Sequence, residues 1–253
     1  MCPMNPRLLR PTASGFNPKS LPGLKIWLDA ANNGSMTFNG GDVSQWNDLS
    51  GNNFHATQGT GANQPTLLST GFNGKPTLDF DTTDSLVSSA TIADYFLTPT
   101  TSPTFVAVMA CYMPLIANSG VVVFGSNAQA NGRLFFTSHF GGSSIIFDTV
   151  NASGGRVTAG GQTDTGWTTP HIMTVLRAGA VMSVRRNGVE IAGKTNASGN
   201  YSATTAQLQI GKCDGAGSNV MYLSEMLVYA AAFSATQLAA AERGLARKWG
   251  VTL

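Results

Sequence analysis

From residue 24 to residue 229 the chain is a succession of short β-type runs broken by turn signals. The runs are 24–30, 42–49, 54–58, 77–81, 85–89, 104–113, 121–124, 133–138, 144–150, 171–176, 181–186, 207–211 and 221–229. Each alternates apolar and polar residues or is rich in β-branched and aromatic ones, as half-buried strands do. Ser50-Gly51-Asn52-Asn53 is a strong turn, and Arg186-Asn187-Gly188-Val189 predicts a hairpin, since Asn-Gly supplies the positive φ of a type I′ turn. No helical period separates these runs, so a parallel α/β layering is excluded. The expected fold is all-β: an antiparallel jelly-roll sandwich in one domain.

One helix is predicted, over 235–249, lying against the sandwich. Ser234 is a good N-cap, and Leu238, Ala241, Leu245 and Trp249 recur at helical spacing. Arg243, Arg247 and Lys248 suit the negative end of the dipole, and Gly250 is placed to stop the helix.

Composition narrows the function classes. The chain is 42% hydrophobic but only 11% charged, with 29 glycines, against about 25% charged in ordinary domains. Its polarity therefore comes from Ser, Thr, Asn, Gln and Gly. Three glutamates cannot support a coiled coil or helical repeat, and no apolar run reaches the roughly 20 residues of a bilayer span. A net charge of +2 gives no reason to expect nucleic acid or a membrane surface as partner. Cys2, Cys111 and Cys213 are isolated, which excludes a disulfide framework.

The few charges are segregated. Residues 1–25 carry four basic residues and no acid, whereas 26–132 carry seven aspartates and Lys75 alone of the bases. Residues 1–22 also hold Pro3, Pro6, Pro11, Pro18 and Pro22, which favour extended backbone. We read 1–22 as an extended basic arm, with 23–253 as the sandwich and its helix. Arg7, Arg10 and Lys19 are the expected assembly contacts, on a neighbouring acidic surface.

Four stretches, Leu21–Ala30, Val43–Gln58, Phe72–Asp81, and Leu223–Tyr229 with the 234–250 helix, together resemble the concanavalin A-like lectin/glucanase superfamily. They look like its laminin-G-like form in phage and bacterial surface proteins. The opening Asn5-Pro-Arg-Leu-Leu-Arg10, then Gly15-Phe16 and Leu21-Pro-Gly-Leu24, is similar to the start of bacteriophage structural proteins that carry this domain. The resemblance implies a non-enzymatic virion structural protein, decorating a capsid or forming part of a tail or fibre. It would be made in the host cytoplasm without a signal peptide. Its partners would be other virion proteins and further copies of itself. The alternative is a carbohydrate-binding adhesin for host glycans, and the least favoured reading is a glycoside hydrolase.

The residues capable of chemistry are few. A glycosidase needs two carboxyls flanking the scissile bond, and the superfamily's glucanases carry them as Glu-x-Asp-x-x-Glu. Here Glu190, Glu225 and Glu242 are scattered and none matches. A structural hydrogen bond is expected for Glu225. Asp79, Asp81 and Asp84 form the nearest carboxylate cluster and the candidate Ca²⁺ site, with Asp214 as a second; otherwise no cofactor is expected. His55, His139 and His171 lack zinc spacing. Trp27, Trp46 and Trp249 are expected in the core, and Trp167 is open between core and surface. No sugar-binding residue is assigned.

Overall fold

The computed structural model describes residues 15–81, 83–96, 104–113, 119–125, 133–140, 144–148, 157–160, 165–195, 207–211 and 220–253. Among the described residues, seventeen strands follow one another in chain order. They are β1 Leu24–Asp29, β2 Met36–Asn39, β3 Asp42–Trp46, β4 Ala56–Thr57, β5 Thr66–Phe72, β6 Lys75–Phe80, β7 Leu86–Thr91 and β8 Phe105–Tyr112. There follow β9 Ser119–Gly125, β10 Arg133–Phe140, β11 Ser144–Asp148, β12 Val157–Ala159, β13 His171–Ala178 and β14 Val181–Arg186. The last are β15 Val189–Lys194, β16 Gln207–Gly211 and β17 Met221–Tyr229. A short helix α1 spans Ile92–Phe96, and a long one, α2, spans Ala235–Trp249.

The strands make two antiparallel layers. One runs β15–β14–β13–β8–β17. The far edge of β17 is shared between β1, along Glu225–Tyr229, and β6, along Met221–Leu223. From β6 the layer continues through β5 and β3 to β2. The other runs β12–β11–β10–β9–β16–β7–β4. A short β3–β4 pairing joins the two. The fold is thus the expected all-β sandwich with one C-terminal helix. Strands β2, β5 and β12 are not among the expected runs, each being short or rich in Ser, Thr and Gly so that its hydrophobic alternation is faint, and β15 is implied only by the Asn187-Gly188 hairpin.

The first layer has an inner face on the sandwich core and an outer face partly covered by α2. Leu78, Leu223 and Cys111, neighbours across β6, β17 and β8, all face inward and are fully buried. In β8 every residue from Phe105 to Cys111 is buried, because α2 packs over the opposite side. The predicted helix ends hold. Ser234 and Gln237 form a reciprocal capping box, and Gly250 closes the helix at φ 69° in the left-handed region. The β5–β6 hairpin turns through Asn73 (φ 49°) and Gly74 (φ 75°). The Asn73 side-chain amide donates to the Trp249 and Gly250 carbonyls at 3.1 Å each, satisfying helix acceptors that have no partner inside α2.

Two charge networks pin α2 to the outer face. On one flank Arg185 of β14 donates to both Glu242 carboxylate oxygens, at 2.7 and 3.2 Å. On the other, Glu225 of β17 is 1% exposed and fully engaged. Its Oε1 accepts from the Trp27 indole at 2.7 Å, and its Oε2 accepts from the Trp249 indole at 2.6 Å and from Lys248 at 2.7 Å. Lys248 also reaches Asp29 at 2.7 Å. Burial pushes the Glu225 carboxyl up; the Lys248 ammonium and the Trp249 indole pull it back down, while Asp29 raises it. Glu225 thus joins β17, β1 and α2, the structural hydrogen-bonding role anticipated for it.

Part of the N-terminal stretch lies on this assembly. Pro18–Ser20 form a 3₁₀ turn with Pro18 buried, and the Pro18 carbonyl accepts from the Tyr229 hydroxyl at 3.2 Å. Phe16 sits so close over Gly244 of α2 that an added Cβ there would overlap its ring. Lys19 is exposed; Arg7 and Arg10 lie outside the described residues.

Two outcomes are expected. Lys248→Met leaves Glu225 buried beside Asp29 without its cation and costs about 3 kcal/mol. That lowers Tm by roughly 6–12 °C for a domain of this size, which calorimetry reads directly; an unchanged Tm would show the ion pair to be energetically idle. Gly244→Ala displaces Phe16, so limited proteolysis should cut the variant near residues 15–20 faster than the parent. Equal cleavage rates would count against that packing.

Candidate functional site

The outer face continues beyond the C-terminal end of α2, and there the register assembles a polar row across five strands. Tyr112 of β8 pairs with Tyr222 of β17, Tyr222 with Asp79 of β6, Asp79 with Thr66 of β5, and Thr66 with Asp42 of β3. Directly paired residues share one side of a sheet, so all five point outward. The four from Tyr112 through Asp79 and Asp42 are half-buried, apart from Thr66, which is exposed.

The row begins where the helix stops. Phe72, fully buried, packs edge-on against Trp249 at 5.7 Å and tilts against Tyr112 at 6.1 Å. Tyr112 and Tyr222 then stack, centroids 4.3 Å apart and planes within 8°. The Tyr112 hydroxyl donates to the Gly71 carbonyl at 3.2 Å, which fixes its ring. Burial, then Tyr222 and Asp79, push the Tyr112 hydroxyl up to about 12; burial and Asp79 raise Tyr222 as well. At the other end Thr66 donates to Asp42 at 2.7 Å.

A bulge makes this arrangement possible. Between Leu223 and Glu225 the pairing of β17 with β8 skips Ser224. In a regular strand Tyr222 and Glu225, three residues apart, would face opposite sides of the sheet. With the bulge, Glu225 lies under α2 and Tyr222 lies just outside, on the same face.

The three aspartates singled out in the sequence come together here, in separate roles. Asp79 belongs to the row; its Oδ1 is enclosed and has no hydrogen-bond donor. Burial, and then Asp81, raise its carboxyl. Asp84 accepts the Asp81 backbone N–H at 3.0 Å, and Asp81 accepts that of Thr83 at 3.0 Å, so this pair stabilises a turn. Asp84 is pushed up to about 6: burial dominates, the Asp81 N–H opposes it, and Asp81, Asp42 and Asp79 add to it. Among the described residues no three His, Cys, Asp or Glu side chains are arranged to hold a metal ion. That counts against the Asp79–Asp81–Asp84 calcium site; Asp214 lies outside the described residues.

The remaining candidates are engaged in structure. Glu190 accepts from Ser183 at 2.7 Å. The His55 ring accepts the Asp48 N–H at 3.1 Å. His171 is buried, with Nδ1 2.8 Å from the Thr169 carbonyl and Nε2 3.8 Å from the Cys111 sulfur; burial pushes that thiol up to about 12. His139 lies on β10. Trp46, Trp249 and Trp167 are fully buried, so Trp167 belongs to the core, under the Arg186 guanidinium at 4.7 Å. Trp27 is half-buried against Glu225. A cavity of about 290 Å³ opens between Phe16, Pro18, Trp27, Arg247 and Lys248, but Glu225 and Lys248 at its base are already paired with each other. The tyrosine row is therefore the better candidate. Tyr112 and Tyr222 were not singled out in the sequence, where the only signal is a tyrosine near the end of an otherwise apolar strand.

No family model matches the chain, and no curated protein matches it. Solved structures do share the fold. The binding domain of Paraclostridial Mosquitocidal Protein 1 is 12% identical, with a TM-score of 0.63 over 93% of this chain and 56% of that one. Trypanosoma rangeli sialidase, in complex with the inhibitor DANA, is 14% identical, with a TM-score of 0.62 over 90% and 34%. A structure of botulinum neurotoxin type C, whose cell entry depends on interaction with two ganglioside molecules, is 11% identical, with a TM-score of 0.60 over 88% and 51%. The chain thus spans about half of each toxin chain and a third of the sialidase, and what it shares with them is the β-sandwich fold.

The aspartate cluster gives a pH signature. Asp84 has a carboxyl at about 6 in the fold against 3.8 ordinarily, so the unfolded chain releases this proton first. Its contribution to stability falls as pH rises between those values and is regained on acidification. Asp84→Asn keeps an acceptor for Asp81 and should gain about 1 kcal/mol at pH 7, roughly 3 °C in Tm, with no gain at pH 3.5. Thermal melts at both pH values check this; equal shifts would place the effect elsewhere.

Proposed function

We propose that this chain is a non-enzymatic carbohydrate-binding module, a lectin-like sandwich that grips glycans on the outer face around Tyr112, Tyr222 and Asp79. The stacked tyrosine pair carries the reading. Aromatic rings supply rigid apolar area, and their hydroxyls and an adjacent carboxylate supply the polar contacts that fix orientation, the combination small-ligand sites use. Tyr222 makes no hydrogen bond through its hydroxyl among the described residues, so that group is available to a ligand. The fold neighbours support a binding role by analogy alone. A non-enzymatic role is supported by the glutamates: Glu225, Glu242 and Glu190 are each engaged by protein donors.

The reading is tested on a glycan array with the full chain displayed at high valency, because single sites of this kind bind weakly and repetition amplifies them. Binding is expected, and Tyr222→Ala should weaken it about tenfold, equivalent to 1.4 kcal/mol. An array with no bound glycan would overturn it.

A second reading concerns where the module is carried. The opening residues 5–24 resemble those of phage structural proteins, and the four charged residues in 1–25 are all basic. On that basis the module belongs to a bacteriophage virion, on a capsid surface, tail or fibre. Arg7, Arg10 and the exposed Lys19 would contact acidic neighbouring virion proteins or further copies of this chain. Mass spectrometry of purified particles tests it: the chain should appear in multiple copies per particle, and its absence would refute the placement.

A further inference from the structure

We propose that the Tyr112–Tyr222–Asp79 row selects uncharged, hydroxyl-rich sugars and turns away sialylated ones. This rests on the glycan-binding reading above and adds the ligand class. Among the described residues, the charged groups flanking the row on one side are carboxylates. Asp79 and Asp42 lie in it, and Asp81 and Asp84 follow directly at the end of β6. The ionisable groups acting on Asp79 and Asp84 are all aspartates: Asp81 on the first, and Asp81, Asp42 and Asp79 on the second. Among the described residues, the cations nearest the row on the same face are Lys248, whose charge is already matched by Glu225 and Asp29 at 2.7 Å each, and Lys75, four residues from Asp79 along β6. At about 3.3 Å per residue Lys75 lies roughly 13 Å away, beyond the Debye length of about 8 Å at physiological salt.

A sialic acid carboxylate entering this site would therefore meet like charge and, among the described residues, no arginine fork, the group that pairs with carboxylates most effectively. Sugar hydroxyls meet what suits them. Carboxylate oxygens accept from them, the Tyr222 hydroxyl can donate or accept, and the Thr66 hydroxyl lies one strand further along the row. The solvent-accessible part of the half-buried tyrosine stack offers apolar contact. The platform is also rigid, since Tyr112 is wedged between Phe72 and Tyr222 and tethered to Gly71, so little ordering opposes binding.

The experiment pairs each neutral galactose-terminated oligosaccharide with the same oligosaccharide capped by sialic acid. Both are immobilised and probed with the full chain at high valency, in 50 and 500 mM salt. The neutral member should bind at least tenfold more tightly at low salt, and the gap should narrow at high salt as charge repulsion is screened. Asp79→Asn should narrow the gap at low salt, and Tyr222→Ala, checked by its Tm for intact folding, should weaken binding to both members about tenfold. Equal or tighter binding of the sialylated member overturns the selectivity while leaving glycan binding intact. Undiminished binding by a folded Tyr222→Ala chain overturns the location. Failure of both members to bind overturns the glycan-binding reading and the selectivity with it.

Discussion

The Ser224 bulge is the constraint on which the outer face depends. One extra residue in β17 changes which side of the sheet Glu225 occupies. That change places a carboxylate under α2, where two indole N–H groups and one ammonium are waiting for it. An unpaired carboxylate at that depth would be strongly destabilising, so the bulge, Trp27, Lys248 and Trp249 stand or fall together. Arg185 and Glu242 repeat the arrangement at the other flank, and the helix is held by charge at both edges as well as by its apolar stripe. Few charges exist in this chain, and a large share of those on the helix and its supporting strands are spent on fixing that one element.

The position of α2 in turn defines the exposed site. The helix stops at Trp249, capped by Gly250 and by the Asn73 amide from the β5–β6 turn. Phe72, next to Asn73, fills the junction between the helix end and Tyr112. A longer helix would cover the tyrosine pair, and a shorter one would leave Phe72 open to water. The hairpin that ends the helix is therefore the hairpin that supports the candidate site, so cap, core and platform are set by three consecutive residues, Phe72, Asn73 and Gly74.

How much of this could be read from the sequence follows from the range of each interaction. The helix was legible because its determinants are local: Ser234 and Gln237 cap it, leucines recur along one face, and Gly250 ends it. The Asn187-Gly188 turn was legible for the same reason, and both residues adopt positive φ, 50° and 79°. Asn73-Gly74 carries the same dipeptide signal and could have been read as the β5–β6 hairpin; the faint alternation of β5 obscured it. The structural role of Glu225 was legible, but its partners were not, because Trp27 lies 198 residues away. The candidate site was beyond reach. Its members, at positions 42, 66, 79, 112 and 222, come from five strands and meet only through register, and a bulge that no local pattern announces decides which side of β17 each residue faces.

The low charge content acquires a specific meaning once these positions are known. On the outer face the cations Arg185 and Lys248 lie beside and beneath α2, whereas Asp42, Asp79, Asp81 and Asp84 gather past its end. Burying carboxylates near one another is unfavourable, as the raised Asp79 and Asp84 show. A cluster serving only to turn the chain could use asparagine or serine in several of these positions without that penalty. These aspartates make the region beside the tyrosines electronegative, and in that surrounding a neutral hydroxylated ligand would gain hydrogen bonds while an anionic one would meet repulsion.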